Sequence, residues 1–130
     1  SLVVNRGADE RFSRITITCR GEAKVLDQMI RQVAKLVDVV HAIDHTGDAS
    51  YETEIALVKL YATLDSRTQI LQVAEHFKAK VVDYGSDSLI LQVHGPSEKL
   101  DAFIDLLRPF KLAELVRSGK LLMARGMRVT

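Results

Sequence analysis

The chain has 130 residues and a mass of 14.5 kDa, enough for one ordinary domain or two small ones, and its 47% hydrophobic content supports real cores. Its 18 Lys and Arg against 17 Asp and Glu leave a formal charge of +1, too small a field to draw in nucleic acid or an anionic membrane. Trp is absent, and positive charge clusters only at Arg108/Lys111 and Arg125/Arg128, so no base-stacking platform is expected.

In chain order, Ser1 to Asn5 is short and β-branched, and the polar segment RGADERFS can turn the chain back at Gly7. Arg14 to Cys19 alternates Ile15, Ile17 and Cys19 against Thr16 and Thr18, which predicts the second strand of a hairpin. Cys19, the single cysteine, is therefore expected as a small buried hydrophobe, with no disulfide framework. A helix is expected from about Glu22 to Val37, because Val25, Leu26, Met29, Ile30, Val33, Leu36 and Val37 form one broad apolar stripe. Val39 to Ile43 reads as a closing strand, and His45 to Ser50 as a linker with Gly47 and Asp48 as turn formers.

The next strand, Glu54 to Ala62, is apolar on both faces: Ile55, Leu57 and Tyr61 on one, Ala56, Val58 and Leu60 on the other. Such a strand is expected at the centre of a sheet, with helices on one side and a partner chain or other cover on the opposite side. Ser66 to Gln69 has the form of a capping box, and Ile70, Leu71, Ala74 and Phe77 give its helix a buried stripe. Lys80 to Tyr84 and Leu89 to Val93 predict a hairpin. A third helix follows, with Gly95 as N-cap, Pro96 at the first helical position, and Leu100, Phe103, Ile104, Leu107 and Phe110 facing inward. Leu115 to Arg117 and Leu121 to Ala124 read as short strands broken at Ser118-Gly119.

The stretch Arg14 to Asp44 returns within Leu89 to Gly119 at an offset of 74 positions: Gly21 meets Gly95, Leu26 meets Leu100, Asp27 meets Asp101, and Ile30 meets Ile104. Each copy reads as strand, glycine turn, amphipathic helix, strand. The expected fold class is α+β: two ferredoxin-like βαββαβ units in tandem, the first lacking its first strand and helix. The expected domains are residues 1–46 and 51–130.

Few residues suggest chemistry. His41 and His45, with Asp44 and Asp48, offer an alternative metal site, but they fall on a strand end and a loop, where solvated side chains are the simpler reading. His76 and His94 stand singly, and Ser86, Ser88 and Ser118 sit in turn-forming company. No nucleophile has an adjacent base, so catalysis by this chain is not expected. Arg117-Ser118-Gly119-Lys120 pairs a glycine break with two cations and is the candidate contact for a partner's carboxylate or phosphate. The competing reading is a β-bulge with solvated flanks. No apolar run reaches membrane-spanning length and no charged-then-apolar leader precedes the first strand, so a soluble, reducing, cytoplasmic setting is expected.

The phrases SRITITCRG, KVLDQMIRQVAKLVDVV, EIALVKL, KLDAFIDLLRPF and above all ELVRSGKLLMARG resemble the small, regulatory subunit of acetolactate synthase (acetohydroxyacid synthase). The likeness covers nearly the whole chain. It implies an amino-terminal ACT domain that binds a branched-chain amino acid, usually valine, at a homodimer interface, the effector residues lying upstream of Ser1. It also implies a second domain that binds and activates a catalytic subunit carrying thiamine diphosphate, Mg and FAD, with no cofactor in this chain. Thr53 stands where the family commonly has arginine. The alternative is a free-standing ACT-like module sensing a small molecule or a metal.

Overall fold

The computed structural model describes residues 2–47 and 49–130, and the chain is α+β with antiparallel sheets. It divides into two compact units, Ser1–Tyr51 with Leu122–Thr130, and Glu52–Leu121. The division differs from a boundary at residue 46, since the carboxy-terminal residues join the first unit.

The second unit is built on the strand β3 (Ser50–Tyr61), followed by α2 (Leu64–His76), β4 (Lys80–Tyr84), β5 (Ser88–Gly95), α3 (Ser97–Leu107) and β6 (Leu112–Arg117). Its sheet has the order β4-β5-β3-β6, and β7 (Leu121–Ala124) also pairs with β3. This is the split βαβ, or ferredoxin-like, layout, with β3 placed centrally as its apolar run predicts. Side chains alternate across a strand, so Ala56, Val58 and Leu60 fall on the helix side with Leu89, Leu91 and Val93. All six are fully or almost fully buried against Ile70, Ala74, Leu100, Phe103, Ile104 and Leu107. The rings of Phe77 and Phe103, 5.3 Å apart, extend that core between the helices.

The opposite face is the one for which a partner chain or other cover is expected. Ile55 is 39% exposed, Leu57 40% and Tyr61 53%, so a sheet face with an apolar centre lies open in this chain. Two helix starts also move. Thr63, not Ser66, caps α2: its hydroxyl accepts from Ser66 N–H at 3.1 Å, while Ser66 Oγ accepts from Thr63 N–H at 3.0 Å. This reciprocal box starts the helix at Leu64, three residues earlier than a cap at Ser66 implies. Pro96, not Gly95, is the N-cap of α3, because Gly95 still belongs to β5 at φ 145°, a backbone state open chiefly to glycine.

The first unit contains β1 (Leu2–Arg6) and β2 (Ser13–Ile17), an antiparallel pair, then α1 (Ala23–Ala34). The repeat is preserved through the helix start, since Ala23 lies 74 positions before Ser97, the offset between the two copies. It then fails: Val39 to Ile43 is not a strand. In the second copy β6 has β3 to pair with, whereas the described part of the first sheet offers only β1 and β2. No residue of α1 is buried, and Val25, Met29, Leu36 and Val37 from its predicted stripe are exposed. Leu2 faces Ile17 and Val4 faces Ile15 across the hairpin, and all four are exposed as well. Cys19, two residues past the end of β2, is exposed rather than buried, as are Ile15 and Ile17 in phase with it. No described helix is long and apolar enough to cross a membrane.

Candidate functional site

The candidate cations at the end of β6 are already committed within the chain. Register sets this up: Ala56 pairs with Arg117, which puts Arg117 on the helix side of the sheet beside Glu54. Glu54, two residues before Ala56 and in phase with it, is only 5% exposed. Arg117 Nε donates to Glu54 Oε1 at 2.7 Å and Nη2 to Oε2 at 3.0 Å, a bidentate fork. Its remaining arm, Nη1, donates to Asp101 Oδ1 on α3 at 2.6 Å, and Ser97 Oγ at the start of the same helix donates to Glu54 Oε2 at 2.8 Å. One guanidinium thus ties β6, β3 and α3 together.

The electrostatics follow from those bonds. Arg117 and, to a lesser degree, Ser97 hold the Glu54 carboxyl below its usual range, against an opposing push from burial. The same partners, Glu54 first and then Asp101, make Arg117 still harder to deprotonate. Lys120 Nζ lies 3.3 Å from Glu52 Oε2. Both cations of the turn therefore face the chain's own carboxylates.

The turn between them is pinned by its backbone. Ser118 N–H donates to the Ile55 carbonyl at 2.9 Å, and Ser118 Oγ accepts from Ile55 N–H at 3.0 Å while donating to the Gly119 carbonyl at 2.8 Å. Gly119 sits at φ 80°, in the left-handed region where a side chain is costly. Arg117, Ser118, Gly119 and Lys120 thus form an ordered corner.

The other sequence candidates do not converge. Among the described residues no three His, Cys, Asp or Glu side chains gather as a metal site, and Asp48 lies outside those residues. Asp44 spends Oδ1 on Thr46, accepting from its N–H at 2.9 Å and its hydroxyl at 2.6 Å, which lowers the carboxyl's pKa. His76 stands edge-on to Phe77 with ring centres 5.2 Å apart, beside an open groove of about 390 Å³ lined by Gln69, Val73, Leu106 and Phe110.

Two charged residues escape a reading by motif, Glu54 and Arg67. Arg67, on α2, is buried, donating from Nη2 to the carbonyls of Ser86 at 3.0 Å and Ala62 at 3.3 Å, with its guanidinium 4.5 Å from the Tyr84 ring centre. Its Nη1 has no hydrogen-bond partner, and the ring face offsets that burial. For Glu54 a signal existed. A carboxylate in phase with Ala56, Val58 and Leu60 has to find a cation or stay protonated.

Comparison with known proteins places this architecture. Residues 53–126 match the family model described as "Small subunit of acetolactate synthase". The chain is 37% identical over 126 residues to a probable acetolactate synthase small subunit of Archaeoglobus fulgidus, covering 97% of this chain and 79% of that protein. It is 35% identical over 127 residues to the acetolactate synthase small subunit of Bacillus subtilis, covering 97% and 74%. The crystal structure of an acetolactate synthase small subunit from Thermotoga maritima superposes with a TM-score of 0.87 at 31% identity, over 97% of this chain and 79% of that one. The family match falls on the unit that Glu54 and Arg117 hold together, the relatives extend it across nearly the whole chain, and the chain belongs to the acetolactate synthase small-subunit family.

Proposed function

We propose that this chain is a non-catalytic regulatory subunit that binds and activates the thiamine-diphosphate-dependent catalytic subunit of acetolactate synthase and carries branched-chain amino acid feedback, with valine as effector. Thiamine diphosphate, Mg and FAD belong to the partner chain. The observation that carries this reading is the family match over residues 53–126, the well-packed unit, extended by relatives of the same name over nearly the full chain. Supporting it, α1 buries none of its residues, a helix surface suited to being covered on assembly.

In this reading Arg117, Ser118, Gly119 and Lys120 meet the catalytic subunit as one pinned surface rather than as free cations, since both cations are paired internally. Effector binding belongs to the first unit as an ACT domain within a homodimer. Valine then shifts the catalytic subunit only as far as it binds two assembly states with different affinity. The test is reconstitution. Adding the chain to its purified catalytic subunit raises acetolactate formation, and the two co-elute on size exclusion. Separate elution with an unchanged rate refutes the proposal.

A further inference from the structure

The amino end of α2 holds a cation with donor capacity to spare. Arg67, four residues past the cap Thr63, is only 7% exposed, and its Nη2 is spent on the carbonyls of Ser86 and Ala62. Ala62 immediately precedes the cap, so those bonds hold the guanidinium at the helix's amino end. Its Nη1 is buried there with no acceptor. Two backbone donors belong to the same helix end. The capping box uses the N–H groups of Thr63 and Ser66, which leaves those of Leu64 and Asp65 without an acceptor among the described residues. The Tyr84 ring lies over the guanidinium, its centre 4.5 Å from Cζ, and Tyr84 is itself 64% exposed. A ring that faces mostly water is therefore what covers the spare donor.

We propose that Tyr84 is a lid, and that when its ring swings aside Arg67 Nη1 and the N–H groups of Leu64 and Asp65 bind a small monocarboxylate. A charge-assisted hydrogen bond to an anion is stronger than the contact with a ring face that it replaces. The neighbours set how much charge the ligand can carry. Arg67 and the partial positive charge of the helix end are opposed by Asp65 in the first turn and by Asp87, whose carbonyl accepts from Ala62 N–H at 2.9 Å. That balance accommodates one negative charge and not two, which favours a carboxylate over sulfate or a phosphate dianion. Leu64, 87% exposed and three residues before Arg67 on the same side of the helix, offers an apolar contact to the body of the acid. The room that one ring vacates takes a small molecule rather than a protein segment. Every residue of the site lies within the second unit and none requires the catalytic subunit, so failure of reconstitution leaves the proposal standing.

The experiment follows the backbone amide signals of the full chain by proton–nitrogen NMR while sodium acetate or sodium isobutyrate replaces sodium chloride at constant ionic strength. The Leu64 and Asp65 signals are expected to shift and to saturate in the millimolar range, at lower concentration for isobutyrate than for acetate, while sulfate gives no saturating shift. Tyr84→Ala removes the lid and tightens acetate binding about threefold or more, because the competent state no longer has to be opened. Tyr84→Phe keeps the ring and binds as the parent does. Asp65→Asn tightens binding as well and lets sulfate bind. Arg67→Lys loses binding, since a lysine cannot hold both carbonyls and still present a free donor. Should that buried variant unfold, the two exposed positions Tyr84 and Asp65 still decide the matter. Parent shifts that are absent or stay linear, Tyr84→Ala that binds no tighter than the parent, or Asp65→Asn that still excludes sulfate would each overturn the proposal.

Discussion

The residue that decides how the second unit holds its corner is Arg117, because it satisfies both oxygens of Glu54, a carboxylate too buried to be left alone. Removing only the cation strands that charge. Arg117→Leu is expected to destabilise the fold by about 3–5 kcal/mol, measured as a shift in urea midpoint, whereas the double change Glu54→Leu with Arg117→Leu recovers much of the loss. Arg117→Lys is not conservative here, since an ammonium cannot reproduce the fork. Glu54 also sets an acid limit. Its native pKa is depressed, so its contribution is complete above the ordinary carboxyl value of 4.5 and is lost as pH falls from there through the native value. The urea midpoint is expected to drop below pH 4.5 in the parent and to drop less in Glu54→Gln. Sequence made Arg117 a candidate for an external anion because a motif displays charge without displaying its partner. The partner, Glu54, lies 63 residues earlier and becomes visible only through strand register.

Among the elements, those of the second unit were the more legible. The apolar run at Glu54 to Ala62 marks a central strand, the helical stripes of α2 and α3 each specify one buried face, and the core is drawn from these residues. Leu100→Ala is expected to cost about 2–5 kcal/mol by thermal or chemical denaturation, since Leu100 is fully buried among large side chains. The elements misread were those whose form depends on a neighbour. Val39 to Ile43 has strand-like residues, yet a strand needs a ladder partner, and β1 and β2 are all that the described part of the first sheet contains. The outer face of β3 shows the same limit. Its apolar residues reveal that it can be covered, but periodicity carries no information about what covers it. Helix starts moved because hydrogen bonds choose between competing caps, as Thr63 and Ser66 do together.

At the scale of the whole molecule, the tandem repeat and the family phrases carried the reading further than any single motif. A regulatory subunit has no reacting atoms to mark its site, so its function is written in surfaces: an uncovered helix stripe in the first unit, and in the second an open sheet face with an apolar centre and a pinned corner. Such surfaces resemble ordinary core patterning until the chain is folded and they are found unburied. The most direct measurement is a titration of the purified catalytic subunit with this chain while the initial rate of acetolactate formation is followed. A rise that saturates at a fixed molar ratio of the two chains is the predicted result. A rate that stays flat through a large molar excess, with no complex seen by sedimentation at the same concentrations, would contradict the account.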